Sequence, residues 1–217
     1  MYTVKAPIDL AIDAGNGTTC VVSDRGEPLV FPSVIQQVED IRLDGRGSQG
    51  FTIHVERLNR QTGRYQERRS FAVGETATLL PGLKTRITSK ERIGSEYQLI
   101  LILAGTVRAL ADLIESEASE YKVRVVWWLN VPPVYFALAP LLEDLAGEYR
   151  VEYDNRVYRL EAGVGHVFPE GAGAGAAYML SERGEFVNEA FARGRTGVVD
   201  GGYRTIDSAI FEGPMLL

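Results

Sequence analysis

Cysteine and histidine are scarce: one cysteine, Cys20, and two histidines, His54 and His166, in 217 residues. A lone thiol cannot close an intramolecular disulfide, and the two imidazoles stand far apart, with no spacing of a zinc or iron site. A reducing, cytoplasmic location is expected. Basic charge is also in short supply. Lys and Arg number 23 against 29 Asp and Glu, a net charge of −6. Duplex binding needs clustered cations to displace counterions, so direct nucleic-acid binding is not expected. Long apolar runs are missing too. The longest, Leu99 to Ala104, is far too short to span a bilayer, and the N-terminus carries Lys5, Asp9 and Asp13 in place of an apolar leader. Neither a signal peptide nor a membrane anchor is predicted.

What is present is the balance of an ordinary folded protein, 45% hydrophobic and 24% charged, enough for one or two cores. Residues 8–13 alternate, break at Gly15-Asn16-Gly17 and resume over 18–22, which predicts a β-hairpin. A third strand is predicted over 29–31, ended by Pro32. Residues 34–94 change in character. Asp44 to Ser48 is loop-like, and 51–58 and 65–73 read as strands around Thr62-Gly63, predicting a small inserted subdomain. Its arginines, Arg57, Arg60, Arg64, Arg68 and Arg69, read as a solvated face.

Leu99, Leu103, Val107, Leu110 and Leu113 recur at helical spacing and predict a long amphipathic helix over 96–119. The apolar run 123–129 predicts a strand covered on both faces, with Trp127 and Trp128 in the core. After Pro132-Pro133 come a predicted helix over 135–146, a hairpin (149–153 and 157–161) turned at Asp154-Asn155, and a short strand over 164–168. A helix over 170–180 follows, in which Gly171, Gly173 and Gly175 allow close packing. A second glycine-turned hairpin, 196–199 with 205–211, ends the chain.

Both glycine-turned hairpins share a chemical pattern: an aspartate at the end of a strand and glycines directly after it. They are Asp13-Ala-Gly15-Asn16-Gly17-Thr18-Thr19 and Asp200-Gly201-Gly202-Tyr-Arg-Thr205. Glycine turns bring consecutive N–H groups and nearby hydroxyls close to phosphate oxygens, and two such turns facing each other would clamp a polyphosphate. Each aspartate stands where it could hold Mg²⁺ through waters, as suits a cation that keeps most of its hydration shell. Asp-Gly and Asn-Gly are also the ordinary residues of tight turns. The pairing of the two is what points to chemistry.

The order of Ile12-Asp13-Ala-Gly15-Asn-Gly17-Thr-Thr, Leu129-Asn-Val-Pro132-Pro, Val167-Phe-Pro169-Glu170-Gly-Ala-Gly-Ala and Val198-Val-Asp200-Gly-Gly-Tyr-Arg-Thr205-Ile-Asp207 resembles the actin superfamily. Within it, the Pro-Glu-Gly stretch, the Asp-Gly-Gly-Tyr-Arg-Thr stretch and Phe71-Ala-Val-Gly74-Glu-Thr-Ala77 look most like the plasmid-segregation actins of bacteria (ParM or StbA type). The resemblance implies an α/β, actin-like (ribonuclease H-like) fold: a mixed β-sheet flanked by helices, with a small inserted α+β subdomain and an incomplete second lobe. It implies subdomain IA over 1–33 and 95–194, subdomain IB over 34–94, and the first hairpin of subdomain IIA over 195–217. It also implies ATP and Mg²⁺ in the cleft, held by Gly15, Asn16, Gly17, Thr18, Thr19, Gly201, Gly202 and Thr205, with Asp13 and Asp200 on the metal. Glu170 falls where family members carry the residue that orients the attacking water, work that needs positioning more than a strong base. Filament self-association and a DNA-binding adaptor partner are implied for the whole protein.

Two departures qualify the resemblance. Cys20 stands where actins and many plasmid actins have a lysine in the first hairpin; Lys84 or Arg86 is expected to supply that charge from the inserted region. The chain also ends at Leu217, just past the second hairpin, where family members continue. A cut chain, with weak or no ATPase activity alone, is therefore expected. A dinucleotide-binding domain, suggested by Gly171, Gly173 and Gly175 with Glu189 beyond, has no room left for the strands it needs. A small-molecule kinase of the same superfamily, or a non-catalytic actin-fold adaptor or assembly protein, remains as an alternative.

Overall fold

The computed structural model describes residues 1–39, 50–81, 89–181, 185–188, 193–201, 206–212 and 215–216. Among these, the strands are β1 (Tyr2–Thr3), β2 (Ile8–Ala14), β3 (Thr18–Ser23), β4 (Leu29–Pro32), β5 (Ile35–Val38), β6 (Gly50–Asn59), β7 (Arg64–Tyr65), β8 (Arg69–Gly74), β9 (Glu120–Val131), β10 (Gly147–Tyr153) and β11 (Arg156–Pro169). They form one mixed sheet in the order β4-β3-β2-β9-β11-β10-β6-β8-β5, with β1 on β9 and β7 on β6. β2, β9 and β11 run parallel side by side at its centre. A second, antiparallel sheet contains β12 (Arg195–Gly201), β13 (Ile206–Glu212) and β14 (Met215–Leu216). The helices are α1 (Glu75–Leu79), α2 (Ser89–Arg92), α3 (Glu96–Leu113), α4 (Pro140–Glu143) and α5 (Ala172–Met179). None is long and apolar enough to cross a membrane.

Both predicted glycine-turned hairpins are present as strand pairs. Asp13 pairs with Cys20 across β2 and β3, and Asp200 with Asp207 across β12 and β13. The Asp154-Asn155 turn is also as predicted, both residues having positive φ, 49° and 59°, as a two-residue hairpin turn demands. Strands β6 and β8 lie where the inserted segment predicts them, although the second of the two is divided between β7 and β8. Both extend the large sheet through pairing of β6 with β10. Of the five arginines of this segment, Arg68 and Arg69 pair with Glu152 and Glu96, and Arg57 donates to the Asp144 carbonyl, as fits a solvated, salt-bridged face.

Four expectations are corrected. The long helix ends at Leu113, six residues short of its predicted end. Ile114 turns extended, and Tyr121 on β9 donates its hydroxyl to the Ser116 carbonyl, which draws residues after 114 into a connection. The predicted helix over 135–146 is a 3-10 turn, Pro133–Leu138, followed by the single turn of α4. Pro140 lacks the N–H that a continuous helix would need there. The hairpin's second strand and the short strand after it are one strand, β11, with a register shift at Gly165. Finally, β9 is not covered alike on both faces. Tyr121, Val123, Val125, Trp127, Leu129 and Val131 are buried on one side, whereas Trp128 on the other is 38% exposed.

The two indoles have different environments. Trp127 is fully buried and donates its ring N–H to Thr106 Oγ1 on α3 at 3.0 Å. That helix covers the inner face of the sheet with Ile100, Leu101, Leu103 and Val107, all inaccessible to solvent. Trp128 donates to Asp9 Oδ1 at 2.8 Å and stacks on Phe168 above Gly165. Trp127→Ala is expected to cost about 3–5 kcal/mol through a cavity in the core, and Trp128→Ala about 1 kcal/mol. Urea denaturation of the two variants checks this; equal losses would contradict the assignment of faces.

Candidate functional site

Parallel neighbours end at the same edge of a sheet, and ligands in such sheets bind outside the carboxyl ends of the strands. Here Ile12 of β2 is level with Leu129 of β9, and Pro169 of β11 is level with Val131. Asp13, near the end of β2, and Glu170, just past the end of β11, therefore lie toward one edge of the sheet, with β9 between them. Glu170 is tied to it, its N–H donating to the Val131 carbonyl at 2.8 Å.

The first hairpin closes at that edge. Gly15 fits a tight turn in which a Cβ would lie 2.8 Å from the Thr18 carbonyl oxygen, a backbone atom that cannot yield. The turn is pinned on its inner side, where Gly17 O accepts the Ser33 N–H at 2.9 Å. Strand alternation then sorts the side chains. Asp13 and Thr18 are exposed and Cys20 half-buried on the outer side, whereas Thr19 is fully buried, its hydroxyl bonded to Ser33 Oγ at 2.9 Å. Thr19 thus stands apart from the other predicted ligands, turned into the protein by the period of two. Burial first, and the neighbouring Asp13 charge second, push the Cys20 thiol up from its ordinary range, so it is protonated and uncharged at neutral pH.

Of the second hairpin, strand β12 packs against α5 and the residue before it. Gly171 has φ of 86°, a left-handed conformation that suits glycine. A Cβ on it would come within 3.0 Å of Val198 Cγ1 on β12. Val198 is two residues before Asp200, so the strand bearing the second aspartate packs against the residue next to Glu170. Gly201 is exposed. Gly202 and Thr205 lie outside the described residues, as do Lys84 and Arg86, expected to bring positive charge.

A basic residue that sequence reasoning missed is Arg92, at the end of α2. It is 3% exposed, and its Nη1 donates to Asn16 Oδ1, at the middle of the first turn, at 3.0 Å. Its one visible signal was its position just before Gly94-Ser95, where α3 begins.

Among the described residues no cluster of three or more His, Cys, Asp or Glu side chains could hold a metal unaided. An exposed carboxylate at a strand end, beside turns rich in backbone N–H groups, fits a hydrated Mg²⁺ whose other ligands are phosphate and water.

The sequence over residues 11–173, well over half of the chain, matches the family described as the N-terminal domain of actin-like proteins. The chain belongs to the actin-like proteins. Its structure is similar to that of the apo psk41 ParM protein, with a TM-score of 0.71 and 17% identity over 97% of this chain and 63% of that one. It is similar to Ta0583, an archaeal actin homolog, with a TM-score of 0.70 and 18% identity over 97% of this chain and 59% of that one. It is also similar to Bacillus thuringiensis ParM with ATP, with a TM-score of 0.65 and 17% identity over 98% of this chain and 58% of that one. At these identities the likeness is one of fold. This actin-like chain spans about three fifths of the length of these solved structures. Among curated proteins none matches the sequence.

Proposed function

We propose that this chain is the phosphate-gripping part of an actin-like protein that binds and hydrolyses MgATP, assembles into filaments and acts in plasmid or DNA segregation. The observation that supports this most is the convergence of the Asp13 hairpin and Glu170 at one sheet edge, against the strand that carries Asp200. Bound MgATP would supply a γ-phosphoryl group whose charge is partly offset by the cation.

In this reading the backbone N–H groups of Gly15, Asn16 and Gly17 and the Thr18 hydroxyl donate to phosphate oxygens, while Gly201, Gly202 and Thr205 do the same from the second hairpin. Asp13 and Asp200 would hold Mg²⁺ through its waters. Glu170 holds a water in line for attack, the positioning such a loose transition state requires. ATP favours subunit addition and hydrolysis weakens the polymer, a population shift driven by differential contact. With a net charge of −6, the chain would reach DNA through an adaptor protein in the cytoplasm rather than directly.

The uncharged thiol of Cys20 in the hairpin favours a second reading, an actin-fold assembly or adaptor protein without turnover. Phosphate release and light scattering of the full-length protein with MgATP separate them. Polymer with turnover is expected; polymer or binding without turnover supports the second reading, and absence of ATP binding overturns both.

A further inference from the structure

The Asn16–Arg92 hydrogen bond joins segments 76 residues apart in sequence. Among the described residues, Arg92 is the only charged residue that is buried. A guanidinium is costly to bury, and it is retained inside a protein where its geometry and charge are used. Arg92 is also held firmly. Its carbonyl accepts the Ser95 N–H at 2.8 Å, and Ser95 in turn caps α3 by accepting from Gln98 N at 3.3 Å. The residue is therefore held through its backbone at the start of the long helix, and its guanidinium at the centre of the glycine turn. Away from bulk water, its field is screened much less than that of a surface charge.

We infer that Arg92 is the cation of the first phosphate hairpin: it positions Asn16, and through it the Gly15–Gly17 backbone, and its charge favours the nucleotide with more phosphates. The inference rests on the nucleotide reading above and deepens it. Arg92 does for the hairpin from a distant segment what the uncharged Cys20 within it cannot do. It is a positioning and charge-supplying residue, with no part in the reaction itself. The chemical class it discriminates is adenosine di- and triphosphate, whose charges differ by about one unit at neutral pH.

The test is calorimetric binding of MgATP, MgADP and AMP to the full-length protein and to Arg92→Gln, Arg92→Lys and Asn16→Ala. Arg92→Gln is expected to weaken ATP binding about tenfold to a hundredfold, ADP binding less and AMP binding hardly at all. Arg92→Lys keeps the charge and is expected to restore most of the preference for ATP over ADP. Asn16→Ala removes the hydrogen bond with Arg92 intact and is expected to weaken ATP and ADP alike, by about tenfold. Circular dichroism and thermal melting establish that each variant is folded. If Arg92→Gln does not fold, Arg92→Lys and Asn16→Ala carry the test. Unchanged ATP binding in Asn16→Ala, or loss of the ATP preference in Arg92→Lys, overturns the inference. A folded Arg92→Gln with the parent's ATP-to-ADP ratio overturns it too. Absence of ATP binding by the parent protein overturns the nucleotide reading and the inference together, so the two failures are distinguishable.

Discussion

Replacing Glu170 by Ala is expected to slow ATP turnover by about a hundredfold to a thousandfold while leaving filaments assembled and long-lived. A positioned carboxylate acting on an attacking water contributes on the order of 10²–10⁴ in rate, and little of that acts on nucleotide binding. The backbone of Glu170 is fixed independently of its carboxylate, by its N–H on Val131 O and by Gly171 seated against Val198. Truncation of the side chain should therefore leave the edge intact. Phosphate release and sedimentation, measured on the same sample, check both halves. Unaltered turnover, or filaments that fall apart at the parental rate, would remove Glu170 from the role of orienting water.

Asp13→Ala is expected to weaken Mg²⁺-dependent ATP binding by about a hundredfold or more. With nucleotide bound, Asp13 and the hydrated cation would be a charge pair closed off from bulk water, and truncating one partner of such a pair costs roughly 2–5 kcal/mol, which corresponds to about thirtyfold to several thousandfold in affinity. The side chain is exposed at the strand end, so folding loses little. The discriminating comparison is titration of ATP with and without Mg²⁺. The parent should bind far more tightly with the metal, and the variant should show almost no difference between the two. A metal-dependent gain that survives in Asp13→Ala would place the cation elsewhere. The same substitution also removes the charge that helps push the Cys20 thiol up. Its pKa should fall, so that alkylation of the thiol begins at lower pH than in the parent.

Much of the fold was legible because its signals are local. The Gly15-Asn16-Gly17 and Asp154-Asn155 turns carry their own backbone preferences. Alternation marked β2, and helical spacing marked α3. Where a local reading failed, a distant partner had decided the matter. Trp127 and Trp128 look alike in sequence. One bonds Thr106 under α3 and the other bonds Asp9 on the open side. Thr18 and Thr19 look equally suited to a phosphate, yet the strand turns Thr19 inward to Ser33. Arg92 had little beyond its position before Gly94-Ser95 to mark it, because its meaning depends on a contact with Asn16.

The sequence by itself determined the chemical inventory: two aspartates each followed by glycines, a glutamate after a proline, a shortage of cysteine and basic charge, and an order of motifs shared with the actin-like proteins. Backbone preferences and period act over a few residues, and so they can be read without a structure. Only the tertiary structure decided which of these groups share an edge. It is the parallel register of β2, β9 and β11 that sets Asp13 and Glu170 toward one edge of the sheet, on either side of β9, and the seat of Val198 on Gly171 that brings in β12. Those placements follow from long-range pairing and close packing, which depend on the whole core and on no single stretch of chain.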